Sequence, residues 1–462
     1  MSKIIKNGKI VTASDIYNAD IIIDEGVIKE IGIDLPLNNH EVIDAMGKYV
    51  VPGGIDAHTH LNLDVGIAVA KDNFYTGTVA AACGGTTTIV DHMGFGPKGC
   101  NLKHQTAVYH GYADGKAVID YSFHGVLQHV NEEILNEMEE IINNEGIPSF
   151  KAYLTYDYKL SDMEVLNVLI RLKELGGLTT VHPENDAAVN YLRSYYSKNG
   201  MLTPIYHALS RPAECEAEAI NKMINLAAIA GNAPLYIVHL SCELGLDYIK
   251  MASERGQKVY AETCPQYLLL DDERYNESNN EGLKYIMSPP LRKKQDQEKL
   301  WKGIRDGFIQ VVATDHCPFD FNGDKQLGKD DFTKCPNGAP GIETRVPLLF
   351  SEGVSKGRIS INKFVEVIST NPAKIFGLYP RKGTIAVGAD ADLVIIDPDK
   401  EVILSKNILH ENVDYTPYEG MKLKGYPVMT LVRGKVAAKD NKFVGEIGYG
   451  KFIKRCIDKC PL

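Results

Sequence analysis

Residues 54–60 read Gly54-Ile55-Asp56-Ala57-His58-Thr59-His60, and residues 309–315 read Ile309-Gln310-Val311-Val312-Ala313-Thr314-Asp315. Each is a short, mostly apolar run that closes on side chains able to hold a metal. Six comparable runs lie between them, at 86–91, 119–124, 147–153, 178–182, 235–240 and 258–263. Stretches of helical character, such as 132–143, 162–175 and 214–230, separate most of them. Short apolar runs alternating with helices are the pattern of a parallel sheet. Eight such units predict an α/β fold of the (β/α)8 TIM-like barrel type, in preference to an open doubly wound sheet.

Outside the barrel region the texture changes. Residues 3–12 read as one strand, and 19–33 as a hairpin turning at Glu25-Gly26. The far end matches it, with an apolar run at 391–397 and a second hairpin over 428–438 turning at Arg433-Gly434. The two ends are therefore expected to build one small β-sandwich domain from residues 1–52 and 378–462, around a barrel of residues 53–377. A chain of 462 residues is long enough for two cores.

Composition narrows the function. The chain is 44% hydrophobic and 24% charged, with a formal net charge of −10, which argues against nucleic acid or an anionic membrane as partner. There is no apolar run of about 18 residues to span a membrane. The first residues, Met1-Ser2-Lys3-Ile4-Ile5-Lys6-Asn7-Gly8, lack the apolar core of a signal peptide, so cytoplasm is the expected compartment. The nine cysteines form no CxxC pair, and Cys456 and Cys460 have no nearby partner for zinc. Free thiols are expected.

In a barrel of this kind the chemistry sits at the C-terminal ends of the strands. His58 and His60, two apart on a strand, point to the same face and can reach one ion. The fifth run ends at His182, the sixth carries His239 after three apolar residues, and the eighth ends at Asp315. One polar strand end is commonplace, whereas four histidines and an aspartate closing four strands form a ligand set. Lys151 lies inside the fourth run. Beside a dication at about 4 Å, its ammonium would be repelled by about 8 kcal/mol at an effective dielectric near 20. Among two dications it belongs only as a carbamate, formed when the neutral amine captures carbon dioxide. Burial and positive surroundings favour that neutral amine. The donor set is nitrogen and oxygen only, which suits Zn2+ best, with Mn2+ or Fe2+ as alternatives.

These residues resemble the hydantoinase/dihydropyrimidinase group of cyclic amidohydrolases in the amidohydrolase superfamily. The resemblance spans nearly the whole chain. Asp64-Val65-Gly66-Ile67-Ala68, Asp120-Tyr121-Ser122-Phe123-His124-Gly125, His207-Ala208-Leu209-Ser210-Arg211-Pro212 and Ser288-Pro289-Pro290-Leu291-Arg292 are similar to its bacterial D-phenylhydantoinase branch. The resemblance implies two divalent ions per subunit. His58, His60 and Asp315 would hold the more buried ion and His182 and His239 the other. Lys151, as N6-carboxylysine, would bridge them. It further implies that Tyr156 binds the substrate carbonyl, and that Ser288 and Asn337 hold the ring amides through their backbones. The two prolines after Ser288 leave main-chain polar groups free for a ligand. The implied assembly is a homotetramer.

The reaction expected is ring opening of a small cyclic amide, a hydantoin with a 5-aryl substituent of D configuration, to the N-carbamoyl amino acid. Asp315 would move the proton and Tyr156 would donate to the oxyanion. Commoner hydantoinases tend to carry a Pro-Phe-Gly-Gly-like stretch where this chain has Asp64-Val65-Gly66-Ile67, a segment expected to line the exocyclic pocket. Dihydropyrimidinase and allantoinase activities are the alternatives. A dihydroorotase is disfavoured because that family places an arginine where Asn62 stands. A non-catalytic scaffold is the distant alternative, since relatives of that kind have lost the ligands that are complete here. A dinucleotide site is suggested only by Gly94-Phe95-Gly96-Pro97-Lys98-Gly99, where Pro97 removes a needed N–H. His92 and His124 read as packing or supporting residues, and His316 as facing away from the ligands.

Overall fold

The computed structural model describes residues 2–457. All eight apolar runs become strands of one sheet: β1 (Gly54–Thr59), β2 (Thr86–His92), β3 (Asp120–Val126), β4 (Ser149–Tyr153), β5 (Leu178–His182), β6 (Leu235–Ile237), β7 (Val259–Thr263) and β8 (Val311–Val312). They pair in chain order and in parallel. The ring closes just beyond β8. There Asp315 N donates to His58 O and His60 N donates to His316 O, both over 2.9 Å. The (β/α)8 barrel expected from the sequence is the fold.

Strands β6 and β8 are shorter than the runs that predict them. His239 has φ 40° and Asp315 has φ 56°, both in the left-handed region. A residue there cannot continue a pleat, so each strand stops before the side chain it delivers. The helices follow the expected stretches closely. Asp162–Glu174 starts at Ser161, whose hydroxyl caps Glu164 N while the Glu164 carboxylate binds back. The glycine-rich segment 94–99 is a loop after β2, and the next helix, Leu102–Ala113, starts only beyond it under an Asn101 cap. Gly96 N already donates to the Gln128 side chain. That N–H is therefore not free to cradle phosphate.

Both chain ends build a second, nine-stranded sheet. Strand Tyr49–Pro52 pairs antiparallel with Leu393–Ile403 and so joins the N-terminal strands to the C-terminal ones. Both expected hairpins turn where they should: Glu25 and Gly26 have φ 51° and 82°, and Arg433 and Gly434 have φ 41° and 72°. Two successive positive values suit a tight turn between twisted strands. The sheet carries its own core, including Ile5, Ile10, Ile21, Leu393 and Leu431. Among the described residues the cysteines are free thiols, and no helix is long and apolar enough to cross a membrane. Cys460 lies outside the described residues.

A buried ion cluster ties this sheet to the barrel. Lys382 Nζ lies 2.7 Å from Asp120 on β3, 2.6 Å from Asp392 and 3.1 Å from Asp390. Removing one partner from such a cluster leaves uncompensated buried charge. Lys382→Met is expected to cost about 3–5 kcal/mol of stability, read from urea or thermal unfolding.

Candidate metal centre

The six side chains singled out as ligands meet at the C-terminal mouth of the barrel. His58 and His60 bring their Nε2 atoms within 3.2 Å of each other. Asp315 Oδ1 lies 3.1 Å from both. Lys151 Nζ, from β4, sits 3.5 Å from His58 Nε2. On the other side, His182 Nδ1 and His239 Nε2 are 2.9 Å apart. The His58 and His239 rings stack at 5.4 Å between centroids and connect the two halves. All six are buried except Asp315, whose side chain keeps 16% of its exposure. A solute in the mouth can therefore reach the carboxylate.

Two buried carboxylates behind the cluster fix how its rings present themselves. Glu262, on β7, takes His58 Nδ1 and also accepts His239 N over 3.1 Å and the Tyr236 hydroxyl over 2.8 Å. Glu184 takes His182 Nε2 over 2.7 Å and pairs with Arg211 over 2.5 Å. Each carboxylate engages the outer ring nitrogen and leaves the inner lone pair aimed at the centre. This is how ligating histidines are oriented. Sequence reasoning missed both. The available signal was a carboxylate one residue before the end of an apolar strand, in Ala261-Glu262-Thr263, and one two residues past His182.

Tyr156 stands at the mouth with φ 73°, its ring 5.3 Å from that of His182 and 5.5 Å from the Arg211 guanidinium. Ser288 and Asn337 lie on two segments that are bound together. Lys325, wholly buried, donates to Ile286 O over 2.7 Å and to Pro336 O over 2.8 Å. Gly338 N donates to Ile286 O over 3.0 Å. The His207 ring meets Met287 O at 2.7 Å. Nothing in the local pattern pointed to Lys325, because a lysine in a loop carries no periodicity.

The remaining histidines divide. His316 turns away from the centre to Asp72, 3.0 Å distant, as expected. His124 bonds Ser149 and the Ala57 carbonyl. His92 packs between His58 and His124 and has no hydrogen-bond partner for either nitrogen. Its nitrogens fall within the same small group as those of His58 and His60, so it stands nearer the centre than its place in the sequence suggested. Asn62, where an arginine would mark a dihydroorotase, instead accepts Phe74 N in the first turn of the following helix, which Asn73 caps.

The model of the amidohydrolase family matches residues 49–437. The chain belongs to this family. Within it, the hydantoinase/dihydropyrimidinase group is the one to which it is similar from end to end. It is 56% identical to the D-phenylhydantoinase of Escherichia coli O1:K1, over 98% of both chains. Among solved structures, dihydropyrimidinase from Brevibacillus agri superposes with a TM-score of 0.97 at 49% identity, covering 98% of this chain and 99% of that one. The L-hydantoinase (dihydropyrimidinase) of Arthrobacter aurescens gives 0.90 at 31% identity, covering 98% of this chain and all of the other (100%).

Burial sets the charge states of this amidohydrolase centre. It pulls His60 down to about 4, against the pull of Asp315. It also lowers His182, with Glu184 opposing, and holds His239 well below the usual histidine range, with His182 and Lys151 adding to the effect. Those rings are neutral near pH 7 and offer bare lone pairs. His58 is raised: burial and Lys151 act against its charge, but Glu262 and Asp315 outweigh them. Asp315 stays ionised in spite of burial because His58 and His60 face it.

Burial lowers the Lys151 amine to about 8. In an unfolded chain a lysine titrates near ~10.4. The folded state therefore disfavours the protonated amine. The penalty is full below pH 8 and is relieved as pH rises from about 8 towards ~10.4, where the unfolded chain binds more protons. Metal-depleted protein kept free of bicarbonate should gain stability over that range relative to Lys151→Met. Parallel urea midpoints at pH 7 and 9.5 would contradict the assignment.

Proposed function

We propose that this chain is a binuclear-metal cyclic amidohydrolase that opens hydantoin-type rings, 5-aryl-substituted D-hydantoins above all, to N-carbamoyl amino acids. The observation that carries the reading is the convergence of the six donors, with outer ring nitrogens of His58 and His182 held by carboxylates and inner nitrogens turned to the centre. Four imidazoles and a carboxylate converging in one buried place form a nitrogen-and-oxygen donor set that fits a cation. His58, His60 and Asp315 are the proposed ligands of one ion, His182 and His239 of the other. Lys151 as N6-carboxylysine is the proposed bridge. Zn2+ is the preferred ion for imidazole and carboxylate, with Mn2+ or Fe2+ as alternatives.

Bound there, such ions would lower the pKa of water towards about 7 and polarise the ring carbonyl. The rest falls to the chain's own residues. Asp315 takes a proton from the attacking water and returns it to the departing ring nitrogen. Its partial exposure lets it reach both. Tyr156 donates its hydroxyl proton in a hydrogen bond to the developing oxyanion. Burial raises that phenol, although Arg211 opposes, so it remains a donor at neutral pH. The backbones at Ser288 and Asn337 hold the ring amides. Lys325 fixes the spacing of those two segments. The exposed apolar residues Val65 and Ile67, in the loop after β1, are the proposed wall for the exocyclic aryl group.

The names of similar proteins support two substrate readings, because D-phenylhydantoinase and dihydropyrimidinase both occur among them. Homotetrameric assembly, a cytoplasmic location and a domain division at 52/53 and 377/378 belong to the same proposal. Rates on phenylhydantoin, hydantoin, dihydrouracil and allantoin separate the readings. Phenylhydantoin is expected to be fastest, and dihydrouracil faster by about tenfold would favour the dihydropyrimidinase. Lys151→Ala should lose nearly all activity on every ring and regain part of it with a short carboxylic acid. Full activity in that variant would remove the bridge from the mechanism.

A further inference from the structure

A second group of donor side chains converges outside the centre just described. Cys83 ends the helix Phe74–Cys83, Glu343 follows β8, and His410 lies between strands Leu393–Ile403 and Lys422–Val432. These three distant stretches of chain bring one sulfur, one carboxylate oxygen and one ring nitrogen within 4.8 Å of one another. Glu343 Oε1 is 2.8 Å from His410 Nδ1. Cys83 and Glu343 are buried, whereas the His410 side chain keeps 27% of its exposure.

The surroundings hold more oxygen than the protein satisfies. Glu411, 1% exposed, accepts Glu343 N through one oxygen and has no partner for the other. The buried Tyr426 hydroxyl also has none, and it interacts electrostatically with Glu343, Cys83 and Glu411. Three carboxylates, Glu343, Glu411 and Asp72, share this region. His316 faces two of them, 3.0 Å from Asp72 and 3.9 Å from Glu411, and His410 faces the third. Lys406 spends its ammonium on backbone carbonyls of Leu409 and Glu411.

We propose that Cys83, Glu343 and His410 form a separate site for one zinc-type divalent cation, which staples the segment around His410 to the barrel. Zinc holds sulfur at about 2.3 Å and nitrogen or oxygen at about 2.0–2.2 Å, so tetrahedral neighbours sit about 3.3–3.7 Å apart. A pair at the 4.8 Å limit would close by about 1.1–1.5 Å, and Glu343 Oε1 and His410 Nδ1, now 2.8 Å apart, would open by about 0.5–0.9 Å. On binding, the Cys83 thiol gives its proton to water, and the hydrogen bond between His410 and Glu343 is exchanged for a bond from each to the ion. Partly exposed His410 provides the entry path. No residue is shared with the barrel-mouth centre, whose six donors contain no sulfur.

Sulfur ligation supplies the test. Metal-depleted full-length protein is titrated with Co2+ and followed by near-ultraviolet absorption. Wild type should develop a thiolate-to-cobalt charge-transfer band that saturates within about three equivalents per chain, the two positions of the barrel mouth filling without adding to it. Lys151→Ala should keep the band, and Cys83→Ser should lose it. His410→Gln, at a partly exposed position that leaves the core intact, should need about tenfold more Co2+ or greater. Circular dichroism checks that the variants are folded. A wild type without the band, a band that survives Cys83→Ser, or a titration unmoved by His410→Gln would overturn the proposal.

Discussion

The structure depends on a convergence of basic ring nitrogens at the mouth of the barrel. His58 and His60 approach nitrogen to nitrogen at 3.2 Å, and His182 and His239 at 2.9 Å. Glu262 and Glu184 occupy the outer nitrogens of His58 and His182, so that their inner nitrogens turn to His60 and His239. A cation between the rings would take these inner nitrogens as ligands. The closure of the barrel is part of the same construction, because Asp315 and His60 make the backbone bonds that seal it. Fold and site are thus one set of contacts.

Backbone strain lies at the same place. His239, Asp315 and Tyr156 all have positive φ. For residues other than glycine that conformation costs on the order of 1–3 kcal/mol each, and it persists where the surroundings over-determine it. In each case it re-aims a side chain that a regular strand or turn would send elsewhere. At His239 and Asp315 the strand ends and the functional group turns into the mouth. Around them, Lys325 and His207 pin main-chain carbonyls, so that the rim segments carrying Ser288 and Asn337 are held against a rigid scaffold.

Much of this was legible in the sequence because the barrel repeats one local rule. A buried parallel strand needs a continuous apolar run, and a site at its C-terminal end needs a polar residue there. His58, His60, His182, His239 and Asp315 all satisfy both requirements. Lys151 joined the expected set only through charge and the family resemblance, since an ammonium and two dications could not share one cavity. What stayed hidden was non-local. Glu262 reaches His58 from 204 residues away, and nothing in Val259–Thr263 announces which face its carboxylate takes. The shortening of β6 and β8 depends on dihedral angles that histidine and aspartate rarely adopt. The cluster of Lys382 with Asp120, Asp390 and Asp392 depends on how the two sheets dock. Local pattern does not encode that docking.

The central claim is that two cations, bridged by a modified lysine, occupy the mouth. Crystals of the metal-reconstituted protein, measured on both sides of the zinc absorption edge, test it most directly. The account predicts two anomalous peaks, one among His58, His60 and Asp315 and the other beside His182 and His239, with density continuing from Lys151 Nζ to a planar group between them. A single peak, or a bare Lys151 amine with both ions in place, would contradict it.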